Sequence, residues 1–173
     1  MRRMQQNLRI PGPTPVPDEV LEAQSAPMID HRGTEFASMH REISAGIAGL
    51  IGSTGEVLLL TGSGSGGMEA AVVNTLSPGD RVLSVITGGF GERFAAIAEA
   101  FGAAVDRMEV PWGEAANPVA VAEHLRGAPP YRAVLLTHNE TSTGVTNPLR
   151  ELAAAIHAEP GDAMVLVDGI SGL

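Results

Sequence analysis

The chain of 173 residues has no cysteine, and all 11 of its basic residues are arginine, so it has no lysine either. Without cysteine there is neither a disulfide nor a thiolate ligand for a metal. Without lysine no side chain can act as an amine nucleophile or form an imine with a carbonyl compound. Aromatic residues make up 3% of the chain, and acids outnumber bases to give a formal charge of -9. That balance argues against a nucleic-acid partner, which needs a basic surface facing the phosphate backbone. No apolar run is long enough to span a bilayer, and the basic opening Met1-Arg2-Arg3-Met4 leads into no apolar signal core. The expectation is a cytoplasmic protein with no membrane partner. What remains is 44% hydrophobic content over a length that can bury one real core.

The order of elements points to one fold class. Leu8 to Pro17 carries four prolines and reads as an extended arm. Asp18 to Ala26 reads as a short helix, and Thr34 to Leu50 as a longer one with Thr34 as N-cap, its apolar positions Phe36, Met39, Ile43, Ile47 and Leu50 recurring at helical spacing. From residue 57 onward apolar strands alternate with helices. The expected strands are 57–60, 81–86, 104–110, 133–137 and 164–168, and the expected helices come after Gly67, from Phe90 to about Phe101, from Pro118 to Leu125 and from Leu149 to Ala158. Nearly continuous apolar strands with short links imply an α/β fold with a mostly parallel sheet and helices on both faces. In such sheets ligands gather at the carboxyl ends of the strands. Those ends carry Thr61-Gly62-Ser63, Thr87-Gly88-Gly89, Thr137-His138-Asn139-Glu140 and Asp168.

The stretch Thr61-Gly62-Ser63-Gly64-Ser65-Gly66-Gly67-Met68-Glu69-Ala70 reads as a strand-to-helix turn whose exposed N–H groups suit a phosphate; a tight turn that binds nothing would use the same glycines. Gly62, Gly64 and Gly67 match the dinucleotide spacing, but the next strand ends in Ile86-Thr87-Gly88-Gly89-Phe90 without the ribose-binding acid. Met68 and Glu69 stand where a P-loop needs lysine and a hydroxyl. The remaining reading is a single phosphate attached to an aromatic ring. Phe90 can offer a stacking face or simply pack at a helix start. Asp168, ending the apolar Val165-Leu166-Val167, can face a cationic ring nitrogen or cap the element that follows.

Seven motifs in one order resemble a known family: Pro11-Gly12-Pro13-Thr14-Pro15-Val16, His31-Arg32-Gly33-Thr34-Glu35-Phe36, Thr61 to Ala70, Ser77-Pro78-Gly79-Asp80-Arg81-Val82, Gly88-Gly89-Phe90-Gly91-Glu92-Arg93, His138 to Val145, and Val167-Asp168-Gly169-Ile170-Ser171. Together they resemble the large-domain half of the class V, fold-type I pyridoxal-phosphate aminotransferases, in the alanine/serine–glyoxylate aminotransferase group. The resemblance implies pyridoxal 5'-phosphate as cofactor, its phosphate held by Ser63, Gly64 and Ser65. It further implies Phe90 stacked on the ring, Thr141 bonded to the ring hydroxyl, Asp168 on the pyridine nitrogen as the catalytic carboxylate, and Ile170 packed under the ring. Gly12 would lie near the substrate carboxylate, and His31, Arg32 and Glu35 near a subunit interface. A small amino acid (alanine or serine) and a 2-oxo acid such as glyoxylate are the implied substrates, and a homodimer the implied assembly of the full-length protein.

Set against that resemblance, residues 1–17 form an N-terminal arm and 18–173 part of the cofactor-binding domain. The chain ends before the Schiff-base lysine of relatives, so it is expected to be an N-terminal portion that does not catalyse transamination alone. Two alternatives share these features: another class V enzyme, such as a cysteine desulfurase or a hydrolase, and a dinucleotide-binding domain. His40, His124 and His157 are expected to be structural, and Trp112 to pack in a loop.

Overall fold

The computed structural model describes residues 9, 10 and 12–172 in two compact units, divided between Leu59 and Leu60. Met1 to Leu8, Pro11 and Leu173 lie outside the described residues, so part of the expected arm does too. In the first unit, helix α1 spans Asp18–Gln24 and α2 spans Thr34–Ile51. Thr34 is the first helical residue of α2 rather than its cap; the cap position is Gly33, which has no side chain to offer. Gly52 ends α2 in the left-handed conformation at φ 69°, letting Ser53 N–H return to the Ala48 carbonyl at 2.9 Å.

The second unit holds helices α3 (Gly64–Thr75), α4 (Gly89–Ala100), α5 (Pro118–Arg126) and α6 (Leu149–His157). Its strands are β1 (Arg81–Ile86), β2 (Ala104–Glu109), β3 (Ala133–Thr137), β4 (Asn139–Glu140), β5 (Val145–Thr146) and β6 (Met164–Asp168). Four of them form a parallel sheet in the order β2-β1-β3-β6, and β4 and β5 form a small antiparallel hairpin beyond the end of β3. Alternate residues of the central strands explain why these segments are apolar throughout. Leu83, Val85, Val134 and Leu136 pack toward α5 and α6 with Val121, Leu152 and Ile156. Val82 and Leu135 point to the other face and meet Met68 and Val72 of α3 and Phe94 and Ala98 of α4. Both faces are therefore covered, as the sequence pattern requires. Fully burying a side chain such as Phe94 or Leu135 contributes ~1.5–3 kcal/mol.

Two expectations fail. Residues 57–60 belong to no strand, because no described strand runs beside them to exchange hydrogen bonds, and Leu58 and Leu60 are left exposed. Trp112 lies in the turn after β2 with 69% of its surface accessible, in neither core cluster. No described helix is long and apolar enough to cross a membrane.

At the base of the sheet the buried Tyr131 donates its hydroxyl proton to Asp106 Oδ2 at 2.6 Å, with Arg81 on the same oxygen at 2.6 Å and its guanidinium over the tyrosine ring. His124 Nε2 lies 3.1 Å from the same hydroxyl, a structural use of that histidine. The Tyr131 hydroxyl, followed by Arg81, holds the Asp106 carboxyl below its ordinary range. Burial, followed by the Asp106 carboxylate, pushes Tyr131 up to about 12. The raised value means the folded state keeps the proton more tightly than the unfolded chain does. That stabilisation is complete below the usual tyrosine pKa of about 10 and is lost as pH rises toward 12. Because Tyr131 is the single tyrosine, a near-ultraviolet tyrosinate titration of the folded protein should show its midpoint near 12. Tyr131→Phe should remove the alkaline loss of stability over that window.

Candidate functional site

Strand order places the candidate site. From β1 the chain moves to β2 on one side and then crosses to β3 on the other, so the crevice between the carboxyl ends of β1 and β3 is the topological switch point of the sheet. Two helix N-termini stand near this rim, those of α3 and α4, and their first turns are satisfied in opposite ways.

In α3, Ser63 is the N-cap and its Oγ accepts from Gly66 N–H at 3.2 Å. The N–H groups of Gly64 and Ser65 have no partner among the described residues, which leaves two donors at the positive end of the helix dipole. Ser65 Oγ accepts from Arg93 Nη1 at 3.0 Å, and the Arg93 guanidinium sits 5.1 Å from the centre of the Phe90 ring. A cation thus joins the open helix end to the aromatic face.

In α4 the cap position is Gly88, so the capping groups arrive from the β4–β5 hairpin instead. Gly89 N–H donates to Ser142 Oγ at 2.9 Å, and the N–H groups of Phe90 and Gly91 both donate to Glu140 Oε2 at 3.0 Å. The other oxygen of Glu140 accepts from Ser142 N–H at 3.2 Å and Ser142 Oγ at 2.6 Å. Glu140 has no accessible surface, and these four donors meet the demand of a carboxylate removed from water. The hairpin is also tied to the sheet. Thr143 Oγ1 donates to the Thr87 carbonyl at 3.1 Å, while the buried Asn147 amide donates to Thr87 Oγ1 and the Thr137 carbonyl and accepts from Ala116 N–H.

Asp168 ends β6, mostly buried, with Oδ1 accepting from Ile170 N–H at 3.1 Å. It does cap the turn that follows, and its Oδ2 has no partner among the described residues. A cleft of about 370 Å³ lies between α3 and the end of β6, lined by Gly64, Gly67, Met68, Asp168 and Ile170 among others. Ile170 leans over Gly64, where an added Cβ would meet its Cγ1 at 2.9 Å.

The expected residues therefore form two groups. Gly64, Asp168 and Ile170 share the cleft. Phe90 and Thr141 stand outside it, both held by the Glu140 assembly: Phe90 through its N–H, and Thr141 as the residue between Glu140 and Ser142, half-buried with no hydrogen bond to its hydroxyl among the described residues. Ser63 and Ser65 border the two groups, and Arg93 bridges them from Ser65 to Phe90. Gly12 lies in the first unit, exposed. No described group of histidine, aspartate and glutamate could hold a metal ion.

Sequence reading set Asn139 and Glu140 on the rim and Arg93 in a motif without giving any of them a role, and it passed over Asn147. Nothing local shows that the Glu140 or Asn147 side chain turns inward. Among the described residues Asn139 Oδ1 is buried without a partner, while its amide donates to the Ser171 carbonyl at 2.6 Å.

A parallel sheet with a capped turn, an open helix end and a carboxylate on one rim defines an α/β ligand-binding domain. The chain matches the family model for aminotransferase class-V over residues 8–173 and belongs to that family, whose members depend on pyridoxal phosphate. It is 40% identical over 96% of its length to an uncharacterized aminotransferase of Methanocaldococcus jannaschii, and 38% identical over 95% to the L-aspartate–glyoxylate aminotransferase of Paracoccus denitrificans. It covers 43% and 42% of those two proteins, so it spans less than half the length of the relatives it matches. The alanine–glyoxylate aminotransferase structure from Nostoc superposes with a TM-score of 0.89 at 28% identity, over 95% of this chain and 43% of that one. The sheet is thus that of the fold-type I aminotransferases.

The packing around two glycines distinguishes rigid from yielding parts of the site. A Cβ on Gly88 would lie 2.6 Å from both Glu140 Cγ and Ser142 Oγ, in a buried position with no room to shift. Gly88→Ala should cost about 1–3 kcal/mol, measured by urea denaturation. Gly64→Ala meets only the Ile170 side chain, which is exposed and can turn away, and its effect on stability should stay below about 1 kcal/mol.

Proposed function

We propose that this chain is the cofactor-binding portion of a pyridoxal-phosphate aminotransferase that moves an amino group from a small amino acid, alanine or serine, to a 2-oxo acid such as glyoxylate. The observation that carries this reading is the pairing of an open helix end at Gly64 and Ser65 with an underused carboxylate, Asp168, on the same cleft. The residues suit the group in type. Two free N–H groups and the Ser65 hydroxyl suit a phosphate, and Arg93 adds positive charge beside them. Asp168 would hold a ring nitrogen protonated through its free oxygen, Phe90 would offer a face, Ile170 an apolar floor, and Thr141 a hydroxyl for the ring substituent. When bound, the cofactor supplies an electron sink for the α-carbon of the amino acid. In this chain Asp168 would hold that sink in its charged form, and the helix end would hold the phosphate.

Gly12 near the substrate carboxylate, the arm at residues 1–17, and a cytoplasmic homodimer with His31, Arg32 and Glu35 near its interface belong to the same reading. Because its 173 residues include no lysine, the chain by itself is expected not to transaminate; a purified chain turning over amino acid and glyoxylate would overturn that. The dinucleotide alternative is disfavoured by two features. Among the described residues the glycine-rich turn follows no paired strand, and at the switch point the first-turn N–H groups of α4 are taken by Glu140 and Ser142.

Calorimetric titration of the chain should show binding of pyridoxal phosphate in preference to NAD and NADP. Asp168→Asn should weaken pyridoxal phosphate binding by roughly tenfold to a hundredfold, the worth of a hydrogen bond to a charged group. Preferential binding of a dinucleotide would sink the proposal.

A further inference from the structure

We propose that Glu140 is a positioning residue for the cofactor ring: its buried carboxylate sets Phe90 and Thr141 at a fixed separation. The inference rests on the pyridoxal-phosphate reading above. In α4, Phe90 and Gly91 are the second and third helical residues, whose N–H groups a capping side chain ordinarily takes. Gly88 has no side chain, and Glu140, 52 residues further along the chain, supplies the acceptor instead. The same carboxylate holds both the N–H and the hydroxyl of Ser142, and Ser142 Oγ in turn receives Gly89 N–H. Thr141 lies between the two residues so fixed.

One buried side chain therefore anchors the helix start that bears the stacking ring and the turn that bears the hydroxyl. Glu140 itself is fully buried and all four of its bonds are internal, so it touches no ligand. It acts only through Phe90 and Thr141. The phosphate donors at Gly64 and Ser65 belong to a different helix end, with no hydrogen bond to Glu140. Loss of Glu140 should therefore weaken recognition of the ring and spare recognition of the phosphate.

The variants separate the two halves of the device. Glu140→Ala releases both. Glu140→Gln can keep its carbonyl on Phe90 and Gly91, but its amide then faces the Ser142 N–H, so it loosens only the hairpin. Ser142→Ala likewise leaves the Phe90 and Gly91 bonds in place.

The probes are pyridoxine 5'-phosphate, which has no aldehyde to react with the chain's terminal amine, and inorganic phosphate. Affinities for both are measured by calorimetry on wild type and the three variants, with circular dichroism to confirm folding. In wild type, pyridoxine phosphate should bind tighter than phosphate. Glu140→Ala should erase about tenfold of that margin, roughly what a stacking contact contributes, and leave phosphate affinity unchanged. Glu140→Gln and Ser142→Ala should each lose a smaller part, and they carry the test if the alanine variant does not fold. A margin retained in all folded variants would overturn the proposal, as would a parallel fall in affinity for both probes, the mark of a merely structural role. Absence of any margin in wild type would instead overturn the pyridoxal-phosphate reading, and this proposal with it.

Discussion

The buried carboxylate of Glu140 is the interaction on which the rim of the sheet depends. A carboxylate without accessible surface is costly unless its oxygens are fully engaged, and here four donors from two segments converge on it. The arrangement also needs space. Gly88 provides it, because any side chain there would occupy the volume of Glu140 Cγ and Ser142 Oγ. The glycines of Thr87-Gly88-Gly89 thus serve close approach of a side chain, whereas the glycine at position 64 serves the approach of Ile170. Asn147 and Thr143 complete the attachment of the hairpin to the end of β1.

From that constraint follows the location of the chemistry. A switch point between parallel strands is the usual place for a ligand, and a helix N-terminus there is the usual anion site. In this protein the anion at the α4 terminus is supplied by the chain itself. The terminus of α3 is satisfied only in its third N–H, by Ser63, and keeps its first two donors open. The internal anion makes one helix end rigid scaffold, whereas the end beside it keeps two donors open among the described residues. Arg93 spans the boundary, placing its charge near the open end while its planar group covers Phe90.

The alternation of strands and helices from residue 81 onward was legible because each element is decided locally: continuous apolar strands need two covered faces, and Leu83, Val85, Val134 and Leu136 find one while Val82 and Leu135 find the other. Residues 57–60 have the same apolar character, yet without a neighbouring strand to pair with they stay irregular. Pairing is a property of two segments, and one segment cannot announce it. The same distinction governs the site. Asp168 stood out because an acid ending an apolar strand is locally anomalous, and the structure keeps it mostly buried with one oxygen free. Glu140 is the more deeply buried acid; its place at a strand end was legible but its inward turn was not, because it lies among Asn139, Thr141 and Ser142, where a polar residue is ordinary. Its partners Phe90 and Gly91 are 50 and 49 residues away. Thr34 shows the smaller version of this limit, since the N-cap falls one residue earlier on a glycine.

The all-arginine composition bears on the same site in chemical terms. A phosphate needs positive charge nearby, and lysine or arginine could supply it. An aldehyde-bearing ligand distinguishes the two: the lysine amine is a nucleophile once deprotonated, whereas a guanidinium stays protonated and unreactive. Arg93 beside Ser65 can therefore neutralise a phosphate and stack on Phe90 without competing for the carbonyl carbon.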